Sequence, residues 1–312
     1  MAAPLALALA LFFLYSVGSC LQVLIVLAVW MHTEHQTSPG LVLIISLAVS
    51  DFLSCLRGVL GTVEHFLGFQ FFSGASYVWG AIGNLSWACS SLHMIVLAYN
   101  RFVYICLYWN AGKYAGVAVT KRILAVVWVF CLLYFIVHSY FLCCPVVWDS
   151  QVIGSYYEMV PNATDYMSLV DVYGITYPTC LIPCVLYLLV FGQLVRRQLS
   201  SVANSGTSEI EIKLCLQFFI VLLVYLLLNV VWYGVPAGTV SWSVLSVGSG
   251  VMLCLNFTIN PLVYILFNRT IATACKKLLG IDVAVVGVAS AVGYSARGAS
   301  KNTAGAVRIG HA

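Results

Sequence analysis

Four polar side chains fall in the middle of long apolar runs: Asp51, in Leu47-Ala48-Val49-Ser50-Asp51, then Ser90, and the amides Asn256 and Asn260, which stand one helical turn apart. A polar group at membrane depth is costly, so it marks function unless its neighbours satisfy it. Brought together in a helix bundle, the four would line a small oxygen-rich cluster suited to a sodium ion or to a proton carried on Asp51. The competing reading is a buried aspartate satisfied by those same amides and hydroxyls. The run Asn260-Pro261-Leu262-Val263-Tyr264 adds a mechanical element. Proline removes a backbone donor and frees a carbonyl one turn back, giving a distortion that can act as a hinge.

A second set of candidates lies toward the other end of the same runs. Asn84 and Trp87, with Gly83 beside them, combine with Tyr177, Trp232, Tyr233 and Trp242 into an aromatic, uncharged lining. Such a lining holds a small apolar ligand through one or two hydrogen bonds. Trp and Tyr at span ends also serve as interfacial anchors, and both readings stand. His93, deeper in its run, reads as a helix-packing histidine with satisfied ring nitrogens, because burying it charged is unfavourable. Catalysis has no foothold: there is no His-Glu-x-x-His, no Gly-x-Ser-x-Gly, no Gly-rich phosphate loop and no pair of mid-membrane carboxylates.

The elements that must position these residues follow from composition. Of the 312 residues, 62% are hydrophobic and 8% charged, against about 45–50% and about 25% in soluble proteins. That balance calls for a bilayer as solvent. A helix needs about 20 apolar residues to cross one, and seven segments qualify: 5–31, 41–66, 77–105, 120–145, 167–194, 212–236 and 244–267. The expected fold is therefore all-α, a seven-transmembrane helix bundle. The first segment is too long and too poor in basic residues at its start for a signal peptide.

Orientation rests on Lys and Arg, which accumulate on the cytoplasmic side. Thirteen of the fourteen lie at one end: Arg101, Lys113, Lys121 and Arg122, then Arg196, Arg197 and Lys213, then Arg269, Lys276, Lys277, Arg297, Lys301 and Arg308. Arg57, inside the second span, is the exception. The loops 67–76, 146–166 and 237–243 carry no Lys or Arg, so they are expected outside, with the N-terminus outside and the C-terminus inside. The sequon at Asn162 then falls in the longest outer loop and is expected to be glycosylated. Residues 1–280 are expected to form the membrane domain. The tail 281–312, rich in Ala, Gly, Val and Ser, is expected to be disordered. Between them, Ile271, Cys275, Leu278 and Leu279 alternate with Arg269, Lys276 and Lys277, the pattern of a short amphipathic helix on the inner leaflet, with Cys275 a candidate for palmitoylation. Most of the twelve cysteines sit inside apolar runs and read as small packing residues.

Taken together, Asn260-Pro261-Leu262-Val263-Tyr264, the Leu-Ala-Val-Ser-Asp51 run, Trp128 in the fourth span, Pro183 in the fifth and Asn100-Arg101-Phe102 closing the third resemble the rhodopsin-like G-protein-coupled receptors over residues 15–280. Asn-Arg-Phe at 100–102 and the ending Tyr264-Ile265-Leu266-Phe267-Asn268-Arg269-Thr270-Ile271 are most similar to nematode serpentine chemoreceptors of class X or class T. The resemblance implies that Arg101 restrains the inactive state and then contacts the G protein, that Asp51 belongs to an allosteric sodium site, and that Tyr264 swings inward on activation. It implies a heterotrimeric G protein, a small-molecule ligand and membrane lipid as partners, no nucleic acid and no cofactor beyond that sodium ion. The setting it implies is a multi-pass plasma-membrane protein, in the cilia of sensory neurons, that detects an odorant or pheromone.

Several residues depart from the pattern. Asn100 replaces the acid usually adjacent to Arg101, which leaves Glu209 and Glu211 as candidate partners unless both simply face solvent. Ser76 stands where a bridging cysteine is usual, and Cys143 and Cys144 have no evident partner. Tyr225, Asn229 and Trp232 occupy the region of the usual Cys-Trp-x-Pro switch, and Gln22 replaces a customary asparagine. The seventh span has no lysine for a retinal Schiff base, and the third has no outer aspartate for an amine. The ligand is accordingly expected to be small and uncharged. The alternative function is a seven-span small-solute transporter, which predicts paired three-helix repeats; Asn-Pro-x-x-Tyr at 260–264 has no counterpart in the first three spans.

Overall fold

The computed structural model describes residues 5–32, 38–140, 146–149, 153–158, 170–199, 215–216, 219–230 and 242–281. Among them, six helices are long and apolar enough to cross a bilayer. The first four spans are Leu5–His32, Pro39–Leu67, Ala75–Cys106 and Val117–Tyr140. The fifth is Tyr177–Leu199, entered through a wider π-helical stretch at Val170–Thr176, and the seventh is Trp242–Phe267. Phe219–Val230 is a shorter apolar helix and, with residues 215–216, is the described part of the sixth span. Each coincides with an expected apolar segment to within a few residues, because hydropathy is a local property of the chain. Pro183 and Pro261 are carried inside helices, as membrane helices tolerate.

The third span is the pillar of the bundle, packing against the second, fourth and fifth, while the first packs on the second and seventh. The main core joins Ile44, Leu47, Met94, Leu97, Tyr225 and Tyr264 across four spans. The short helix Arg269–Leu278 follows the seventh span and packs back on the first. Its entry is fixed by Asn268, whose side-chain oxygen accepts from the backbone N–H groups of Thr270 at 3.1 Å and Ile271 at 3.3 Å, two of the donors a helix start leaves unpaired.

The all-α expectation misses one element. Between the fourth and fifth spans, Val146–Asp149 and Gly154–Tyr157 pair antiparallel, with Val146 opposite Tyr157 and Asp149 opposite Gly154. This hairpin rests on the third and seventh spans at the end of the bundle remote from the basic residues. Its strands are only four residues long, and both Val147 and Trp148 are buried, so the alternation that flags a strand in sequence is absent.

Candidate functional site

Asp51 is fully buried and is held by neutral donors from three other spans. Ser90 donates to Oδ1 at 2.6 Å, Asn260 Nδ2 to Oδ2 at 2.9 Å, and Gln22 Nε2 reaches Oδ2 at 3.5 Å while also donating to the Phe257 carbonyl at 2.8 Å. Ser90 and Asn260 are thus brought onto Asp51, and Gln22 joins them. Asn256 is buried one turn before Asn260 on the same helix. The side-chain oxygens of Gln22, Asn256 and Asn260 have no hydrogen-bond partner. Two of these oxygens belong to side chains that touch Asp51, so the donor set, a carboxylate with neutral amide oxygens, fits a hard cation.

From this cluster a line of hydroxyls runs between the second and third spans. Ser50 meets Ser90 at 2.9 Å and donates to the Ser86 carbonyl at 3.0 Å, and the hydroxyls of Ser54 and Ser86 touch. The positions 50 and 54 on one helix face 86 and 90 on the other, a one-turn spacing of small residues that lets two membrane helices close up and hydrogen-bond. A separate polar knot ties the fourth span in. Trp128 Nε1 donates to Ser46 Oγ at 2.9 Å, Ser46 Oγ lies 2.8 Å from His93 Nε2, and His93 Nδ1 lies 2.7 Å from the Cys89 carbonyl. A carbonyl only accepts, so Nδ1 donates to Cys89; with Nε2 engaged by Ser46, His93 is a satisfied packing residue.

At the basic end, Arg101 lies among Tyr187, Cys215, Tyr104 and Tyr264, with its guanidinium also facing Gly40 at the start of the second span. Asn100 is buried, and its Nδ2 finds no partner. Glu209 and Glu211 lie outside the described residues. Tyr264 is buried one turn beyond Asn260. One turn of the seventh helix, interrupted by Pro261, therefore carries both an Asp51 contact and a neighbour of Arg101. Close by, Arg197 Nη2 donates to the Ile105 carbonyl at 2.7 Å.

The expected ligand lining is divided. Asn84 is buried and its Nδ2 reaches the Tyr134 hydroxyl at 3.4 Å. Trp87 packs beside it against Cys131, Tyr134 and Ile175. Tyr177 is 52% exposed and stacks edge-on with Tyr173, ring centroids 5.2 Å apart, the behaviour of an outward-facing anchor. Trp232 and Tyr233, like Asn162, Cys143, Cys144 and the tail from 282, lie outside the described residues. Cys275 departs from expectation. It is 4% exposed, packed with Ile271 and Ala274 in the main core, and burial pushes its thiol up. The amphipathic helix turns Cys275 inward, away from the lipid face that palmitoylation requires.

Residues 12–268 match the family described as serpentine type 7TM GPCR chemoreceptor Srx. The chain belongs to the Srx family. Among solved structures, squid rhodopsin has the same fold, with a TM-score of 0.70 over 90% of this chain and 87% of the rhodopsin chain at 17% sequence identity. No curated protein matches. The seven-transmembrane rhodopsin fold and the serpentine resemblance are borne out, and of the two classes the match is to X. The receptor is a multi-pass membrane protein of a non-enzymatic class.

The Srx receptor also holds functional candidates that the sequence did not single out. Arg57 is buried in the half opposite the basic end. Its Nη1 donates to Ser155 of the hairpin at 2.9 Å, and its guanidinium lies 4.6 Å from the centre of the Trp148 ring, a cation–π distance. Two glycines make this possible. A Cβ on Gly83 would collide with the guanidinium, and one on Gly61 would collide with the Trp148 indole. An arginine inside an apolar span, followed by a helix face of glycine, was the available signal. A shallow groove of about 440 Å³ between the first span and Leu278 and Leu279 is lined by Val23, Leu24, Leu27 and Phe52 among others. It offers acyl chains a surface and gives a polar ligand little to hold.

Proposed function

We propose that this Srx receptor is a plasma-membrane chemoreceptor that binds a small odorant- or pheromone-like ligand in its outer half and activates a heterotrimeric G protein at its basic end. The orientation follows from the positive-inside bias, with thirteen of fourteen Lys and Arg at one end, and places the N-terminus outside. A sensory cilium is the setting that fits a chemoreceptor family. The observation that carries the reading is the shared helical turn from Asn260 to Tyr264, which joins the Asp51 cluster to the surroundings of Arg101.

Activation on this reading is a population shift between two packings of the bundle. In the resting arrangement Asn260 and Ser90 hold Asp51, while Arg101 lies under Tyr264 and Tyr187. A ligand that binds the alternative arrangement better favours movement of the seventh span at Pro261 and of the sixth span away from the third, which uncovers Arg101 for the G protein. A sodium ion would be held by Asp51 with the free oxygens of Asn260, Gln22 and Asn256, and it would supply a positive charge that favours the closed cluster. The family match and fold favour this reading over a transporter.

The test is G-protein activation in cells expressing the receptor with an N-terminal tag, at matched surface levels. Arg101→Ala is expected to abolish ligand-driven or basal signalling, and Asp51→Asn to change its level and remove any sodium dependence. Signalling that survives Arg101→Ala at equal surface density, or solute uptake in place of signalling, would overturn the reading.

A further inference from the structure

Arg57 presents a problem in electrostatics that its own neighbours leave unsolved. The side chain is 4% exposed, and its Nε has no hydrogen-bond partner. The groups around it are the Ser155 hydroxyl, the Trp148 ring, the Tyr15 hydroxyl and the Cys55 thiol. All four are neutral in their ordinary state, and no carboxylate among the described residues reaches the guanidinium. Tyr15 is itself committed, donating its proton to the Gly250 carbonyl at 3.1 Å, so toward Arg57 it offers only a lone pair. Guanidinium does not deprotonate in proteins and carries five N–H donors in a planar fork. A cation buried without a counter-charge is unfavourable, and an aromatic face offsets only part of that.

We infer that Arg57 is an anion-recognition residue, and that the site it forms with Tyr15, Trp148 and Ser155 takes a monoanionic group, carried as the carboxylate of a small organic ligand or present as chloride. The Nε edge of the guanidinium is the position left without an acceptor, and a carboxylate matches two adjacent guanidinium N–H groups in geometry and charge. Trp148 and Ser155 belong to the hairpin that caps this half of the bundle, so the anion is sensed by the loop that covers it. Tyr15 comes from the first span and Gly83 from the third, which makes the site a junction of three spans and a loop. The inference rests on the receptor reading in placing this site in the outer, ligand-facing half. It replaces the uncharged ligand expected from the aromatic residues with an anionic one.

Binding is read without a G protein, so its failure and the failure of the receptor reading are separable. The full-length receptor in detergent is unfolded thermally at constant ionic strength, with a bulky sulfonate as reference anion. Chloride, butanoate and hexanoate are the probes, and 1-butanol and 1-hexanol are the uncharged controls. Wild type is expected to be stabilised by at least one anion in a saturable manner and not by the matched alcohol. Arg57→Gln is expected to lose that shift, and Arg57→Lys, which keeps the charge without the planar fork, to retain a weakened one. A carboxylate outperforming chloride assigns the group to an organic ligand; the reverse assigns an inorganic ion. If Arg57→Gln does not fold, Ser155→Ala serves, with a several-fold weaker apparent affinity expected. Absence of any anion-dependent shift in wild type, equal shifts from carboxylate and alcohol, or an unchanged shift in Arg57→Lys together with Ser155→Ala would overturn the inference.

Discussion

Asp51 and Arg57 lie on the same helix, separated by about 9 Å along its axis at 1.5 Å per residue, and the two halves of the bundle handle their buried charges differently. Asp51 is enclosed by side chains of other helices: Ser90, Asn260 and Gln22 each donate to it. Arg57 depends on a loop, because Trp148 and Ser155 come from a hairpin about ninety residues further along the chain. Each carboxylate oxygen of Asp51 has a donor within the protein, whereas the arginine's Nε has no acceptor. Buried charge in this bundle is thus met either by donors from neighbouring helices or by a loop that covers it.

Four substitutions test that contrast. The largest effect is expected from Asp51→Leu, which leaves the Asn260 amide without its acceptor and takes one of two contacts each from Ser90 and Gln22 in a fully buried site. Each buried unsatisfied group costs about 1–3 kcal/mol, so thermal unfolding in detergent should show a loss of about 3 kcal/mol or more, with Asp51→Asn costing less because an acceptor remains. Equal stability of Asp51→Leu would mean that the helix half does not depend on the cluster.

Next comes Gly83→Leu, which drives a side chain into the Arg57 guanidinium. Overpacking costs about 1–3 kcal/mol, and the damage should be regional. Hydrogen exchange at 146–157 is expected to rise more than exchange at 47–55, and uniform acceleration would erase the proposed division between the halves. Ser46→Ala removes the hydroxyl linking Trp128 and His93 and lies in neither region. A loss of about 1 kcal/mol is expected, since polar contacts between membrane helices average about 0.6 kcal/mol with a maximum near 1.7, and both halves should keep their exchange patterns. The smallest effect is expected from Asn268→Ala. Loss of an N-cap costs about 1 kcal/mol of helix stability, confined here to Arg269–Leu278 and read as faster exchange there with an unchanged global transition.

Much of the helical half is visible in the amino-acid order. The spans appear as apolar runs, and Asp51, Ser90 and Asn260 stand out because a polar residue inside such a run has few reasons to be there. The hairpin half is barely visible. Trp148 and Ser155 look like ordinary loop residues, and what makes them significant is their position over Arg57, which the sequence showed only as an exception to the charge asymmetry. The serines at 50, 54 and 86 were equally inconspicuous, since a hydroxyl becomes informative only once its partner across the helix interface is known. The missing cysteine at Ser76 is legible, but not what holds the hairpin in its place: the Tyr77 hydroxyl donates to Glu158 at 2.7 Å, and the Arg57 contacts lie beneath.

By itself the sequence determined the seven-span architecture, the asymmetry of its basic residues, the membership of Asp51 in a polar cluster and the resemblance to serpentine receptors. Those properties are written in composition and short-range spacing, because the bilayer imposes the same length and polarity on every span. Tertiary structure alone decided that Gln22 joins the Asp51 cluster, that Cys275 turns inward, that Tyr177 follows the anchor reading rather than the lining one, and that Arg57 is buried under a hairpin with no acidic partner among the described residues. Each of these depends on which face of a helix meets which neighbour, and in a chain whose helices are apolar nearly all round, local pattern does not encode that choice.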